Sequence, residues 1–268
     1  MKFYSIIILM VIFNIWSKNV PGQTGYFKIG SQFHAPEARQ GVAVDEYYIY
    51  VIGSQQIAKY DKATHKMVKK WIGDENGPII HLDSGVIING KLYCAHSNYP
   101  AVPMTSSVEI WDAETLEHYD SHSFGINWGS CTWIDKFNDG WYVGFAHYNK
   151  WKHITGKGSE WTVVVKFNED WNFEESWIFP DTIVTKFGNM SNSGASFGPD
   201  GYLYCTGHDS SEVYVMDFPE KGSTLELVEI IQINIFGQGI AWDRSQNNVM
   251  YGIRKKPREV VSFELIEK

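Results

Sequence analysis

Short apolar segments, each bounded by glycine, asparagine, aspartate or proline, follow one another along most of the chain. One unit recurs among them: a small or polar residue, a short apolar strand and a turn residue, as in QGVAVD, SGVIIN, SCTWID, SGASFG and QGIAWD. The five copies begin at Gln40, Ser84, Ser130, Ser193 and Gln238, so successive starts are 44, 46, 63 and 45 residues apart. Self-similarity at a nearly fixed period is the mark of a repeat architecture. The spacing predicts five units, with an insertion in the third.

Further strand-like segments follow the first one in every unit. The second strands are YYIYVIGS, KLYCAHS, WYVGFAHY, YLYCTGHD and NVMYGIR, and the third are QQIAKYD, SSVEIWD, TVVVKFN, SEVYVMD and REVVSFEL. Fourth strands complete four units, whereas the fifth stops at Lys268 without one. The segment GYFKIGSQF, residues 25–33, is free to complete it, and a ring closed in this way has no open sheet edge. The sequence predicts an all-β fold, a five-bladed β-propeller closed by an N-terminal strand and without substantial helix; a six-bladed ring is the alternative.

The first residues indicate the compartment. Lys2 is followed by the apolar run FYSIIILMVIFNIW and then by the polar SKNVPGQ, which is the pattern of a secretory signal peptide. We expect residues 1–22 to form this signal and residues 23–268 to form a single propeller domain. No later segment approaches the ~20 apolar residues of a membrane-spanning helix. The sequence therefore predicts a secreted or periplasmic protein with no membrane span after cleavage.

Composition narrows the classes of partner. The chain has 31 acidic and 23 basic residues and a formal net charge of −8, which argues against nucleic acid as a ligand. Its three cysteines, Cys94, Cys131 and Cys205, lie in apolar strand-like contexts and not in a CxxC spacing, so we interpret them as buried thiols. We expect a monomer.

Polar side chains accumulate where the second strands end. Three successive units carry a histidine there, His96, His147 and His208, and the fifth carries Arg254. A turn needs only glycine or serine, as Gly53–Ser54 shows in the first unit. In a propeller these strand ends and the loops entering the innermost strands open on one face, so we expect one composite pocket at a central mouth. The competing interpretation is that each histidine fastens a loop carbonyl.

Neighbouring residues extend this predicted pocket. The candidates for acid–base catalysis are His96, His147, His208, Tyr99 and Tyr148, and those for substrate binding are Arg39, Gln40, His81, Asn98, Asn149, Gln238 and Arg254. The insertion in the third unit, residues 148–161, is long for a hairpin connection and is predicted to act as a lid that brings Trp151, Lys152 and His153 to a ligand.

Two enzymatic mechanisms suit these residue types. In the first, arginine neutralises a substrate carboxylate while histidine and tyrosine move protons, which is β-elimination of a uronate-containing sugar or a related isomerisation. In the second, His96, His147 and His208 bind zinc, whose bound water attacks a lactone or ester. A binding propeller for a glycan or protein is the non-enzymatic alternative. Because the units differ at the mouth, one asymmetric centre is favoured, and with it an enzyme acting on an acidic carbohydrate or small carboxylated molecule.

The repeat pattern, with apolar inner strands and third strands that end as in VEIWDAETLEHY, resembles that of secreted quinoprotein-like, NHL-like and gluconolactonase-type propellers. This resemblance covers nearly the whole mature chain and implies the fold, but it implies no particular chemistry. In its histidines, tyrosine and arginine the predicted pocket is similar to that of polysaccharide-lyase propellers acting on ulvan-like polymers, which are longer and have more blades. It also resembles chains loosely labelled cycloisomerase.

Overall fold

The computed structural model describes residues 25–266, so the predicted signal peptide lies outside the described residues. Twenty strands form five antiparallel sheets of four strands each. Within each sheet the strands are hydrogen-bonded to their sequence neighbours, except where the chain ends meet. Apolar residues are buried on both faces of the sheets, as expected when each sheet packs between two others.

The first three blades follow the chain in order. Blade 1 consists of β2 (Gly41–Val44), β3 (Tyr48–Gly53), β4 (Gln56–Asp61) and β5 (Met67–Ile72). Blade 2 consists of β6 (Leu82–Ile88), β7 (Lys91–Ser97), β8 (Ser106–Asp112) and β9 (His118–Gly125). Blade 3 consists of β10 (Ser130–Phe137), β11 (Gly140–Ala146), β12 (Val163–Phe167) and β13 (Phe173–Ile178).

The remaining two blades complete the ring. Blade 4 consists of β14 (Gly194–Phe197), β15 (Leu203–Thr206), β16 (Glu212–Asp217) and β17 (Glu226–Gln232). Blade 5 consists of β18 (Ala241–Trp242), β19 (Val249–Arg254), β20 (Glu259–Ile266) and the N-terminal strand β1 (Tyr26–His34). The predicted five-bladed ring with N-terminal closure is confirmed, and the six-bladed alternative is wrong.

The inner strands approach one another closely along the propeller axis. A Cβ atom on Gly41 would lie 2.9 Å from the Cβ of Ser84 and 3.1 Å from the Cα of Gly239, so these positions have no room for a side chain. Ser84 Oγ donates to the carbonyl of Thr132, and the N–H of Gly239 donates to the carbonyl of Gln40. At the opposite end of the inner strands, beside Asp135 and Arg244, the cavity between these strands measures about 10 Å³. A ligand therefore has room at the mouths of the ring and not along its axis.

Two short helices lie in blade 3 and its connection to blade 4, where the sequence predicted no substantial helix. Helix α1 (Lys152–Thr155) belongs to the insertion, flanked by two 3-10 turns at Asn149–Trp151 and Ser159–Trp161. Helix α2 (Asp181–Phe187) packs Ile183 and Phe187 into the core between blades 3 and 4. No helix within residues 25–266 is long and apolar enough to cross a membrane.

The three cysteines are buried and unbonded, as predicted. Burial raises the pKa of the Cys94 thiol and of the other two thiols, which keeps them protonated. They contribute to packing and not to the chemistry of the mouth.

Candidate functional site

His96 is a structural residue of blade 2. The N–H of Ile80 donates to its Nε2 at 3.1 Å, so the ring proton is on Nδ1, which lies 2.8 Å from Ser107 Oγ. Ser107 Oγ in turn donates to Glu109 Oε1 at 2.6 Å, and His118 Nε2 lies 2.8 Å from Glu109 Oε2. Burial lowers the pKa of His96, with Glu109 opposing this shift. Both ring nitrogens are engaged in hydrogen bonds, so the structure gives no support to the prediction that His96 acts as a base or metal ligand.

His147 faces a different part of the surface. Its Nε2 donates to the carbonyl of Trp128 at 2.9 Å, and its Nδ1 is buried without a hydrogen-bond partner among residues 25–266. Burial lowers the pKa of His147. The ring lines a largely apolar cleft of about 460 Å³ with Met104, Ile126 and Ile154, between blades 2 and 3.

His208 lies in the loop after β15, at a third location. Its Nδ1 is 2.6 Å from Asp209 Oδ1, and the ring lines a cleft between blades 4 and 5 together with Arg254. The three imidazoles therefore do not share one centre. Within the described part of the chain no three His, Cys, Asp or Glu side chains are arranged to hold a metal ion, so the predicted three-histidine zinc site is not supported.

A different set of side chains converges at the central mouth. The ring of His81 stacks on that of Tyr99, with centroids 4.7 Å apart, and His81 Nε2 lies 3.7 Å from Asp83 Oδ2. Tyr99 contacts the ring of Tyr148 at 5.6 Å, and the ammonium of Lys255 is close enough to act on both His81 and Asp83. We refer to His81, Asp83, Tyr99 and Lys255 as the axial cluster.

The local backbone explains why two of these side chains face the mouth. His81 precedes β6, and the register of β6 against β7 shifts between Leu82 and Gly85, so Asp83 lies in a bulge. Bulges re-aim side chains that a regular ladder would turn onto a sheet face. Asp83 is thereby placed beside His81, and the side chains are only 11% and 17% exposed.

Burial controls protonation in this pair. Desolvation raises the pKa of Asp83 well above its ordinary value, although the positive charge of Lys255 opposes the shift. Desolvation also lowers the pKa of His81 to about 4, and the charges of His96 and Lys255 add to this effect. The 3.7 Å separation exceeds a hydrogen bond, so burial favours a neutral imidazole beside a protonated carboxyl group and not an ion pair.

The insertion covers one side of the axial cluster. Lys150 Nζ donates to Tyr99 Oη at 2.6 Å and lies 4.2 Å from the ring centroid of Trp151, which itself packs 5.1 Å from Tyr99. Lys152, which was predicted to reach the ligand, pairs instead with Glu160 at 2.7 Å. His153, the third lid residue predicted, is exposed, and among residues 25–266 its side chain has no polar partner.

Three predicted substrate-binding residues are structural. Gln40 donates through Nε2 to Ser54 Oγ at 2.9 Å. Asn98 ties its own loop by donating to the carbonyl of Pro103 and accepting the N–H of Thr105. Asn149 holds the insertion through Ser159 and the carbonyl of Gly188. Because their amides are engaged, binding roles for Gln40, Asn98 and Asn149 are not supported.

The other predicted residues lie at or near the mouth. Arg39 is exposed and close enough to Lys255 for their charges to interact, whereas Gln238 and Arg254 line the cleft between blades 4 and 5. Tyr148 is 6% exposed and packs beneath Tyr99, and burial raises the pKa of its phenol. It supports the site and does not face solvent.

Lys150 and Lys255 were not predicted from the sequence, and Asp83 was not assigned a role. Asp83 follows His81 in the loop entering β6, so the sequence indicates that it lies near the mouth. The sequence does not indicate which side chains it would contact there. Lys255 belongs to the basic run RKKPRE, residues 254–259, of which only the first residue was predicted to reach the mouth.

Comparison with known proteins identifies the fold. No protein-family profile matches the chain, and no curated protein matches it. Among solved structures, it is similar to the PQQ-bound aldose sugar dehydrogenase from Streptomyces coelicolor, at 8% identity and a TM-score of 0.55, over 92% of this chain and 100% of that one. It is also similar to hydrazine synthase of Kuenenia stuttgartiensis, at 12% identity and a TM-score of 0.49, over 83% of this chain and 69% of that one. The similarity to the aldose sugar dehydrogenase shows a β-propeller fold and no particular activity.

Proposed function

We propose that the chain binds a carboxylate-bearing sugar or polysaccharide at the axial cluster and cleaves it by β-elimination. One observation carries this proposal: His81 Nε2 and Asp83 Oδ2 lie 3.7 Å apart beside Lys255, where burial lowers the pKa of His81 and raises that of Asp83. Elimination needs a proton acceptor, a proton donor and a cation together. The signal-like N-terminus supports export as the setting, which we propose with it.

The cations have the first role in this mechanism. Lys255 and Arg39 pair with the substrate carboxylate, which makes the adjacent carbon-bound proton more acidic by stabilising the negative charge that develops when it leaves. Arg39 comes from the loop before β2 and Lys255 from the turn after β19, so the two approach from different blades.

His81 and Asp83 then move the protons. His81 takes the proton from the carbon next to the carboxylate, and the electron pair of that C–H bond forms a carbon–carbon double bond. The bond from the next carbon to the bridging oxygen breaks, and Asp83 gives its proton to that oxygen. Exchange with water returns both residues to their starting forms. Tyr99 holds the His81 ring by stacking and is itself fixed by Lys150.

The direct test follows the new double bond, which absorbs ultraviolet light next to the carboxylate. We expect absorbance to rise when the protein acts on one of a panel of uronate polymers. His81→Asn and Asp83→Asn should each reduce kcat by about 10²–10⁴-fold, the usual contribution of a positioned acid or base. His34→Asn, which removes an exposed imidazole on β1, is the matched control and should act as wild type.

Two outcomes contradict the lyase. If His81→Asn turned over the substrate at the wild-type rate, His81 would not be the base. Saturable binding of a uronate polymer with no absorbance change would instead identify a glycan-binding propeller, the non-enzymatic alternative.

A further inference from the structure

The cleft between blades 4 and 5 is a separate cavity next to the axial cluster. It has a volume of about 510 Å³ and is lined by residues that include Phe236, Gln238, Arg254, Lys255 and Lys256. Small-molecule sites commonly measure roughly 300–1,000 Å³. The cleft is therefore large enough for a ligand group of its own.

Positive charge is concentrated in this cleft on a protein whose net charge is −8. Arg254 is held in place, since its Nε donates to the carbonyl of Asn234 at 2.9 Å and one terminal nitrogen contacts Glu259 at 3.2 Å. Lys255 and Lys256 are exposed, and neither forms an ion pair with a carboxylate among residues 25–266. The acid of the cleft, Asp209, is bonded to His208. Two lysines without a carboxylate at ion-pairing distance leave positive charge available to an anion, although the charges of Asp83 and Asp209 act on Lys255.

An exposed aromatic ring lies beside these cations. Phe236 is 64% exposed, and no other ring of the described chain packs against it. Its position is fixed by Gly237, which has a φ of 57° and whose missing side chain would collide with the carbonyls of Gly207 and His208. A flat apolar surface next to positive charge fits the C–H face of a sugar ring that carries an acidic substituent.

The cleft and the axial cluster are connected through Lys255. This residue lines the cleft and also acts on Asp83 and His81. We propose that the cleft is a subsite for the next acidic sugar of a polymer, with Phe236 under the ring and Lys256 at its carboxylate. This inference rests on the proposed function, because it assumes that one uronate occupies the axial cluster. It identifies the substrate as an oligomer or polymer and not a single sugar.

The test compares ligands of two lengths. Affinities are measured by isothermal titration calorimetry for the monosaccharides and disaccharides of galacturonate, guluronate and glucuronate, all in a His81→Asn background so that elimination does not interfere. Adding Phe236→Ala or Lys256→Ala should lower the ratio of disaccharide to monosaccharide affinity by about tenfold, which corresponds to ~1.4 kcal/mol. The controls are Phe173→Ala, at a ring 54% exposed on β13, and Lys69→Ala, on exposed β5, and both should leave the ratio unchanged.

The outcomes separate the two proposals. If no disaccharide binds, or if the affinity ratio is the same in cleft and control variants, the subsite is overturned. If the ratio falls as expected while wild type produces no double bond, the subsite stands as part of a glycan-binding site and the lyase fails. If wild type produces the double bond but the ratio does not change, the lyase stands without the subsite.

Discussion

The pair His81–Asp83 owes its chemistry to desolvation. Burying a carboxylate costs free energy unless hydrogen-bond donors surround it. Among the described residues no hydrogen-bond donor lies within 3.5 Å of the Asp83 carboxyl group. The neutral acid is therefore favoured at Asp83, and the same burial favours neutral imidazole at His81. The two groups hold an acid and a base in working forms over the pH range between their two pKa values.

This arrangement predicts a bell-shaped pH profile for elimination. His81 must be unprotonated, so kcat/KM should rise as the pH increases through about 4, the pKa of His81. Asp83 must be protonated, so kcat/KM should fall again at the higher pH where its raised pKa is passed. Initial rates measured across pH on the best uronate polymer check this. In Asp83→Asn the alkaline limb should disappear from the residual activity; persistence of that limb would show that Asp83 is not the acid.

His96 carries a second prediction at this scale, and it concerns stability. Its ring joins the N–H of Ile80 to Ser107 through two part-buried hydrogen bonds, which His96→Ala removes. Such a loss costs about 1–3 kcal/mol of unfolding free energy. Urea unfolding of His96→Ala against His34→Ala, at an exposed position, measures the difference. Equal stability of the two variants would mean that the hydrogen-bond chain of blade 2 contributes nothing.

Strand alternation explains why the sequence indicated His96 for catalysis and His81 only for substrate binding. Successive side chains of a strand point to opposite faces, and in a propeller both faces of a blade pack against neighbours. On β7, Ser97 bonds to Ser130 of the next blade while His96 turns onto β8. The repeats located the strand end correctly, but only coordinates show that its histidine is turned away from the mouth. His81, in a loop, is not bound by this alternation.

At the scale of elements, the insertion shapes the site by holding one residue of blade 2. Met104, Ala146 and Tyr148 pack as a small cluster, with Tyr99, Trp151 and Met190 against it. Lys150 lies against these rings and donates to Tyr99 Oη. Because Tyr99 stacks on His81, the insertion positions the proposed base without touching it.

Lys150→Met tests this positioning. It removes the donor to Tyr99 and keeps most of the apolar stem, so we expect kcat/KM for elimination to fall about tenfold, equivalent to ~1.4 kcal/mol, with little change in Tm. Lys152→Met is the matched control, because Lys152 lies in the same insertion but pairs at the surface with Glu160. Equal activity of the two variants would show that the hydrogen bond from Lys150 to Tyr99 does not contribute to catalysis. Restoration of activity by Lys150→Arg would support a hydrogen-bonding role.

Strands were more predictable than helices in this chain. The strands repeat, so each weak pattern was supported by four others, as the agreement of β3, β7 and β11 with the sequence segments shows. Helix α2 occurs once and gained no such support. Its signals were nonetheless present: Pro180 before it, Gly188 after it, and Ile183 and Phe187 four residues apart on its buried side.

At the scale of the whole molecule, the two ends of the chain hold the ring together. Strand β1 pairs with β20 from Tyr26, opposite Ile266, to His34, opposite Glu259. The ring of Phe27 also reaches the core between blades 4 and 5, where Tyr204, Trp242 and Phe263 lie 6.4, 6.2 and 6.1 Å from it. The repeat count predicted this closure because the fifth unit lacked a strand and a closed ring has no unpaired edge.

Removing the closing strand should therefore cost more than its length suggests. We compare a chain beginning at Gly25 with one beginning at Ala35, which lacks β1 and leaves the outer edge of β20 unpaired. We expect the free energy of unfolding to fall by about 3 kcal/mol, the cost of removing a large apolar side chain from a core. At ~2–4 °C per kcal/mol this lowers Tm by about 10 °C. Differential scanning calorimetry measures this.

A peptide of residues 25–34 should restore Tm by strand addition. The same peptide with Phe27→Ala should restore less than one with Tyr26→Ala, whose ring is 49% exposed. An unchanged Tm in the shorter chain would mean that the other four blades hold the ring unaided.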